Sequence, residues 1–161
     1  MPSSKEHLDA SIVSSGVQPL SIVTLMGMGD VATKRVYDWA MGYPDVMKAG
    51  AAVTRFLNDI ASYKVGRHKK DVASFLDCYM MEHAVTGDEA VTATLALVED
   101  RWRRMNLACM EIDREMLPLV QLLVKIARTN EVMYLGGRDA YTIGKDLEDP
   151  VTSLFLKHVP I

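Results

Sequence analysis

Between Arg55 and Gly66 the stretch R-F-L-N-D-I-A-S-Y-K-V-G places a cation, an amide oxygen and a hydroxyl at spacings that a helix gathers onto one face. At about 100° per residue, positions 55, 58, 62 and 66 fall within an arc of roughly 80°, with Asp59 at its edge. Asn58 and Ser62 offer neutral oxygens, the kind of ligand that magnesium accepts while keeping several waters and sharing a substrate phosphate. Arg55 suits the phosphate itself, because a guanidinium can meet its oxygens in bidentate fashion. The stretch reads as half of a magnesium–diphosphate site. The plain structural alternative is that N-D-x-x-S is a solvated polar helix face.

The elements that must hold this face are all helical. An apolar run from Val17 to Met28 opens on Gln18-Pro19, where proline suits a first helical turn. Asp30 is placed to cap a helix to about Met41, before Gly42-Tyr43-Pro44 breaks it. The site helix then runs from Pro44 to about Val65, and Gly66 sits where a helix takes its C-terminal glycine. Asp71 is expected to cap a helix to about His83. Thr86-Gly87-Asp88-Glu89 is a capping box that opens a helix to about Ile112. A further helix spans Glu115 to about Met133, with Pro118 in its first turn. Gly136 and Gly137 begin a loop lasting to Pro150, and a short amphipathic helix follows from Val151 to His158. No β-type alternation, repeat or low-complexity tract interrupts the pattern.

Composition narrows the function classes. The chain has 161 residues, 49% of them hydrophobic, enough for one domain with a real core. A net charge of −3 argues against nucleic acid as a partner, since phosphate-backbone binding leaves a basic footprint. Four Lys/Arg residues and His68 between Lys64 and Lys70 read as a solvated loop, with a diphosphate-attracting rim as the alternative. Cys78 and Cys109 have neither metal-ligand spacing nor the look of a disulfide framework. The histidines are scattered, with no H-x-x-x-H. No 18 consecutive residues are apolar, so no membrane span is expected. The first residues lack a signal-peptide core, and the expected compartment is cytoplasmic. The eleven methionines read as gap-fillers of the core.

With these residues in view, the site helix resembles the second metal-binding motif of plant class I terpene synthases, (N/D)Dxx(S/T)xxxE, which Asn58, Asp59 and Ser62 match. Gly66 stands where the motif has glutamate. The likeness extends along the chain. M-G-D-V-A-T-K-R-V-Y-D-W-A (Met28 to Ala40) is similar to the family's preceding helix, and D-V-A-S-F-L-D-C-Y-M (Asp71 to Met80) to its V-x-S-x-x-E-C-Y-M stretch. Trp102 falls in the next helix, and A-R-T-N-E-V-M-Y-L-G-G-R-D-A-Y-T (Ala127 to Thr142) resembles the end of the last long helix and its lid loop. Ser14-Ser15-Gly16 loosely matches the break of the family's pocket helix.

The resemblance implies the all-α class I terpenoid synthase bundle, and within it the C-terminal, metal-binding part of a sesquiterpene synthase-like catalytic domain. It implies a carbon–oxygen lyase that ionises a prenyl diphosphate such as farnesyl diphosphate and cyclises the carbocation in terpenoid biosynthesis. Magnesium is the implied cofactor, with manganese as alternative. Residue by residue, it assigns Asn58 and Ser62 to the metal, with the third ligand position lost at Gly66, and Arg55 to diphosphate. Asp59 becomes a partner of the ligands rather than a ligand, and Tyr134, Asp139 and Tyr141 become catalytic residues of the pocket roof and lid. The family's D-D-x-x-D motif and the R-x-R ahead of it do not occur upstream of Arg55; the nearest acidic cluster, Asp146 to Asp149, reads as a helix start. The expectation is therefore a partial domain covering residues 1–161, lacking the N-terminal helical domain and the D-D-x-x-D half, which would be its partner. The alternative is a catalytically silent helical fragment.

Overall fold

The computed structural model describes residues 1–66 and 73–157, and among them there are helices and turns but no strand. Eight α-helices follow in order: α1 (Ser4–Val13), α2 (Val17–Met26), α3 (Lys34–Met41), α4 (Asp45–Lys64), α5 (Phe75–His83), α6 (Gly87–Glu111), α7 (Leu117–Met133) and α8 (Glu148–Phe155). The middle of the chain agrees closely with its sequence. Thr86 and Glu89 form the expected reciprocal capping box, each satisfying a backbone N–H at the start of α6. Pro118 lies in the first turn of α7, where its missing N–H costs nothing.

Other boundaries differ for local reasons. Asp30 sits in a 3-10 turn over Gly29–Val31, and Thr33 caps α3 instead, its hydroxyl accepting from Val36 N at 3.2 Å. Asp71 and His158 lie outside the described residues. Ser74 caps α5, in a capping box with Asp77. The last helix begins at Glu148, three residues before the expected Val151, because Pro150 fits inside a first turn as readily as before one. The sequence reading offered no helix before Val17, yet α1 is there, opened by a capping box between Ser3 and Glu6.

α4 is the axis of the molecule, packing against α1, α2, α5, α6 and α7. Its first half, Val46 to Val53, is nearly continuous buried surface made of small residues around Met47. Small side chains let neighbouring backbones come close, and the Met105 methyl of α6 lies over Gly50, where a Cβ would stand 3.5 Å away. Phe56 is completely buried one turn further on and meets the Phe75 ring edge-on at 4.8 Å between centroids. Leu119, Val120 and Leu123 of α7 complete this core.

Taken together, Ser4–Met26 has the length and mean hydropathy, 1.2, of a membrane span. The chain interrupts it. Gly16 adopts a left-handed conformation (φ 79°) between α1 and α2, and each ten-residue half extends only about 15 Å, half a bilayer core. Leu20, Val23 and Met26 of α2 remain more than half exposed and form an apolar outer face.

Replacing Phe56 by alanine removes the ring on which α4 and α5 meet. Urea unfolding is expected to show a loss of about 3–5 kcal/mol; a loss below about 1 kcal/mol would mean that the two helices are held elsewhere.

Candidate functional site

Two hydrogen bonds fix the wall of the site. Asn130 Nδ2 donates to Thr54 Oγ1 at 2.6 Å, and Asn58 Nδ2 donates to the Tyr134 hydroxyl at 3.1 Å. Thr54 and Asn58 are one turn apart on α4, and Asn130 and Tyr134 are one turn apart on the α7 side. The two rungs rise in the same sequence direction, so α4 and α7 run parallel and present matching faces. Thr54 also donates to Gly50 O at 3.0 Å, which holds its oxygen toward Asn130.

Arg55 closes the other side. Its Nε donates to Ser11 O at 2.9 Å, and one terminal nitrogen donates to the carbonyl and hydroxyl of Ser14. A cation thereby satisfies carbonyls at the C-terminal end of α1, the end where a helix carries partial negative charge. The remaining terminal nitrogen makes no hydrogen bond with the described residues.

These groups line a cavity of about 430 Å³, together with Ser15, Gly16, Val17, Leu20, Ile126 and Tyr141. Of the residues that the sequence singles out, the structure brings Arg55, Asn58, Tyr134 and Tyr141 to this cavity, and Tyr141 is 78% exposed at it. Burial pushes the Tyr134 phenol above the usual tyrosine range, with the Asn58 hydrogen bond pulling the other way. The neutral phenol is therefore the stable form.

Other expected site residues are turned elsewhere. Asp59 faces α5, accepting from Phe75 N at 2.8 Å, and burial raises its carboxyl above the ordinary aspartate range. Asp139 is buried and shapes its loop, its carboxylate accepting from Thr142 N at 3.0 Å and its carbonyl from Ile143 N. Ser62 does not line the cavity; it is one turn beyond Asn58 near the end of α4, and its hydroxyl has no partner among the described residues. Gly66 lies past the last helical residue, Lys64, with φ 67°, so the helical face stops short of the position where a third ligand would stand.

Sequence reasoning overlooked Thr54 and Asn130. The available signal was their spacing: each precedes a recognised site residue by four, which puts it on the same helical face.

As a donor set, Asn58 Oδ1 and the Ser62 hydroxyl are uncommitted among the described residues and sit in the last turns of α4, where the helix dipole favours a cation. They fit part of the shell of a hard divalent ion, the rest being water and anion oxygens. Among the described residues no group of three His, Cys, Asp or Glu could hold a metal unaided.

Comparison with known proteins shows what the chain as a whole is similar to. Residues 1–104 match the model of the terpene synthase family, metal binding domain. Over 158 residues the chain is 54% identical to eudesmanediol synthase of Zea mays, covering 98% of this chain and 28% of that protein. It is 41% identical to alpha-copaene synthase of Zea mays, covering 99% of this chain and 30% of that one. The chain thus spans less than a third of these curated relatives. Isoprene synthase from grey poplar, in complex with three Mg2+ ions and dimethylallyl-S-thiolodiphosphate, superposes with a TM-score of 0.73 at 20% identity, over 91% of this chain and 29% of its own.

Two expectations follow from the geometry. Gly66→Glu meets none of the described residues at its Cβ but must hold a positive φ, so it is expected to lower stability by about 1 kcal/mol. It should add no magnesium affinity in the presence of diphosphate, and calorimetric titration beside a thermal melt checks both. For Asp59, the carboxyl binds its proton more tightly in the folded state, so its contribution to stability is present below the ordinary aspartate pKa and is lost as pH rises through the folded value. Asp59→Asn keeps an acceptor for Phe75 N and should flatten that slope in denaturation curves taken across acidic pH. An unchanged slope would place the titration on another group.

Proposed function

The chain belongs to the terpene synthase family, with the class I terpenoid synthase fold over the part it spans, and from that premise we propose that it is the metal-binding portion of a catalytic domain. That domain acts as a carbon–oxygen lyase on a prenyl diphosphate, with farnesyl diphosphate as the substrate and magnesium as the metal. The observation that carries this reading is the convergence of Arg55, Asn58 and Tyr134 on one cavity, a cation, an uncommitted oxygen and an aromatic ring.

Arg55 keeps one terminal nitrogen for the diphosphate while its other donors hold the end of α1. Asn58 and Ser62 would offer oxygens to a magnesium ion, whose charge would offset that developing on the departing diphosphate. The Tyr134 and Tyr141 rings present π-faces able to stabilise an allylic cation, an attraction worth about 2 kcal/mol once desolvated. Asp59 and Asp139 serve by position: the first fixes α4 to the start of α5, the second sets the loop that carries Tyr141. Cytoplasmic residence is part of the proposal and rests on the sequence alone.

A second reading, a helical fragment without turnover, is favoured by Gly66 and by the absence of D-D-x-x-D from the 161 residues. Two neutral oxygens hold magnesium weakly. The 161-residue chain incubated with farnesyl diphosphate and magnesium is accordingly expected to give no volatile terpene above a boiled control. The same residues exchanged for the matching portion of eudesmanediol synthase should restore terpene release. Arg55→Ala in that fusion should cost about 10–100-fold, the worth of a charge-assisted hydrogen bond. A folded fusion without product would overturn the proposal.

A further inference from the structure

The two rungs between α4 and α7 leave a polar gap. Four residues of helix advance about 6 Å, so the Thr54–Asn130 rung and the Asn58–Tyr134 rung are separated by roughly two hydrogen-bond lengths. Each rung uses only part of its polar capacity. Asn130 has one amide N–H and its Oδ1 without a partner among the described residues, and the Tyr134 hydroxyl accepts one bond and still carries a proton to donate, while Asn58 Oδ1 is left to the metal. All four residues border the same cavity, which has room for a water beside a ligand.

We propose that this gap holds one ordered water, bridging Asn130 to the Tyr134 hydroxyl, and that Asn130 is a specificity-determining residue because this water ends the cationic reaction. The inference rests on the prenyl diphosphate reading above. Donating to Asn130 Oδ1 and accepting from the Tyr134 hydroxyl, the water is held at two points and keeps one lone pair for an electrophile in the cavity. Attack forms one carbon–oxygen bond, and the resulting oxonium loses one proton to the diphosphate already released. The net change is prenyl diphosphate plus water to terpenoid alcohol plus diphosphate, with no oxidation or reduction. A wall of apolar side chains at the same place would leave proton loss to an olefin as the only exit. Asn130 touches the water rather than the substrate, and Thr54 positions Asn130 through the 2.6 Å bond.

A crystal structure of the 161-residue chain tests the water directly. One ordered water within hydrogen-bond distance of Asn130 and of the Tyr134 hydroxyl is expected, and its loss in Asn130→Leu. A dry gap, or a direct bond from Asn130 to Asn58, would overturn the proposal. Binding of farnesol against β-farnesene supplies a readout independent of turnover. The wild-type chain should prefer the alcohol, and Asn130→Leu should reduce that preference about fivefold, the worth of one hydrogen bond. Thr54→Val, which removes the anchor but leaves Asn130, should reduce it in the same direction should the leucine variant fold poorly. An unchanged preference in both variants would equally overturn it. Magnesium-dependent binding of inorganic diphosphate, measured on the same samples, reports on Arg55 and therefore on the underlying functional reading. Its failure with the water in place would fault that reading and not the water site.

Discussion

Everything in this molecule depends on how closely α6 and α7 can approach α4. The run Ala49-Gly50-Ala51-Ala52-Val53 supplies almost no side-chain bulk, so the partners settle against its backbone and Met105 fills what remains. That close approach decides the polar chemistry one turn further on. Asn130 can reach Thr54, and Tyr134 can reach Asn58, only because the two helix axes have been brought near by residues with no chemistry of their own. Bulk introduced at Gly50 would push on Met105 and widen the contact between α4 and α6.

α4 therefore divides along its length. The half nearest its N-terminus is core, and the half nearest its C-terminus carries polar groups toward a cavity. The change comes at Thr54, whose hydroxyl bonds back to Gly50 O within the helix and outward to α7. A threonine used in this way saves the helix from a buried unsatisfied group while making it a partner for a side chain 76 positions away.

Much of this could be read from sequence, and the reasons differ by residue. Thr86 and Glu89 announced their helix because capping is a local interaction written within four residues. Arg55, Asn58 and Ser62 were visible because helical periodicity is a local rule as well. What could not be read was the direction each side chain takes at the α4 surface. Asp59 borders the Asn58 face in projection but turns to the Phe75 amide, because α5 begins beside it and offers an unsatisfied N–H. Asn130 escaped notice because its meaning lies in register between two helices, which no single-helix pattern encodes. Thr33 rather than Asp30 caps α3 because a 3-10 turn intervenes, a detail that the glycine at position 29 permits through its positive φ.

The bonds from Arg55 to Ser11 and Ser14 have a mechanical consequence. A guanidinium is a rigid plane, and here one edge of it is fastened to the end of α1. An anion seated on the nitrogen that bonds none of the described residues would be attached through that plane to the chain at Ser14-Ser15-Gly16, which borders the same cavity. Displacement of the anion and displacement of the helix junction then become a single degree of freedom. The cavity would then respond to the charge it holds at the junction where Gly16 turns left-handed between α1 and α2.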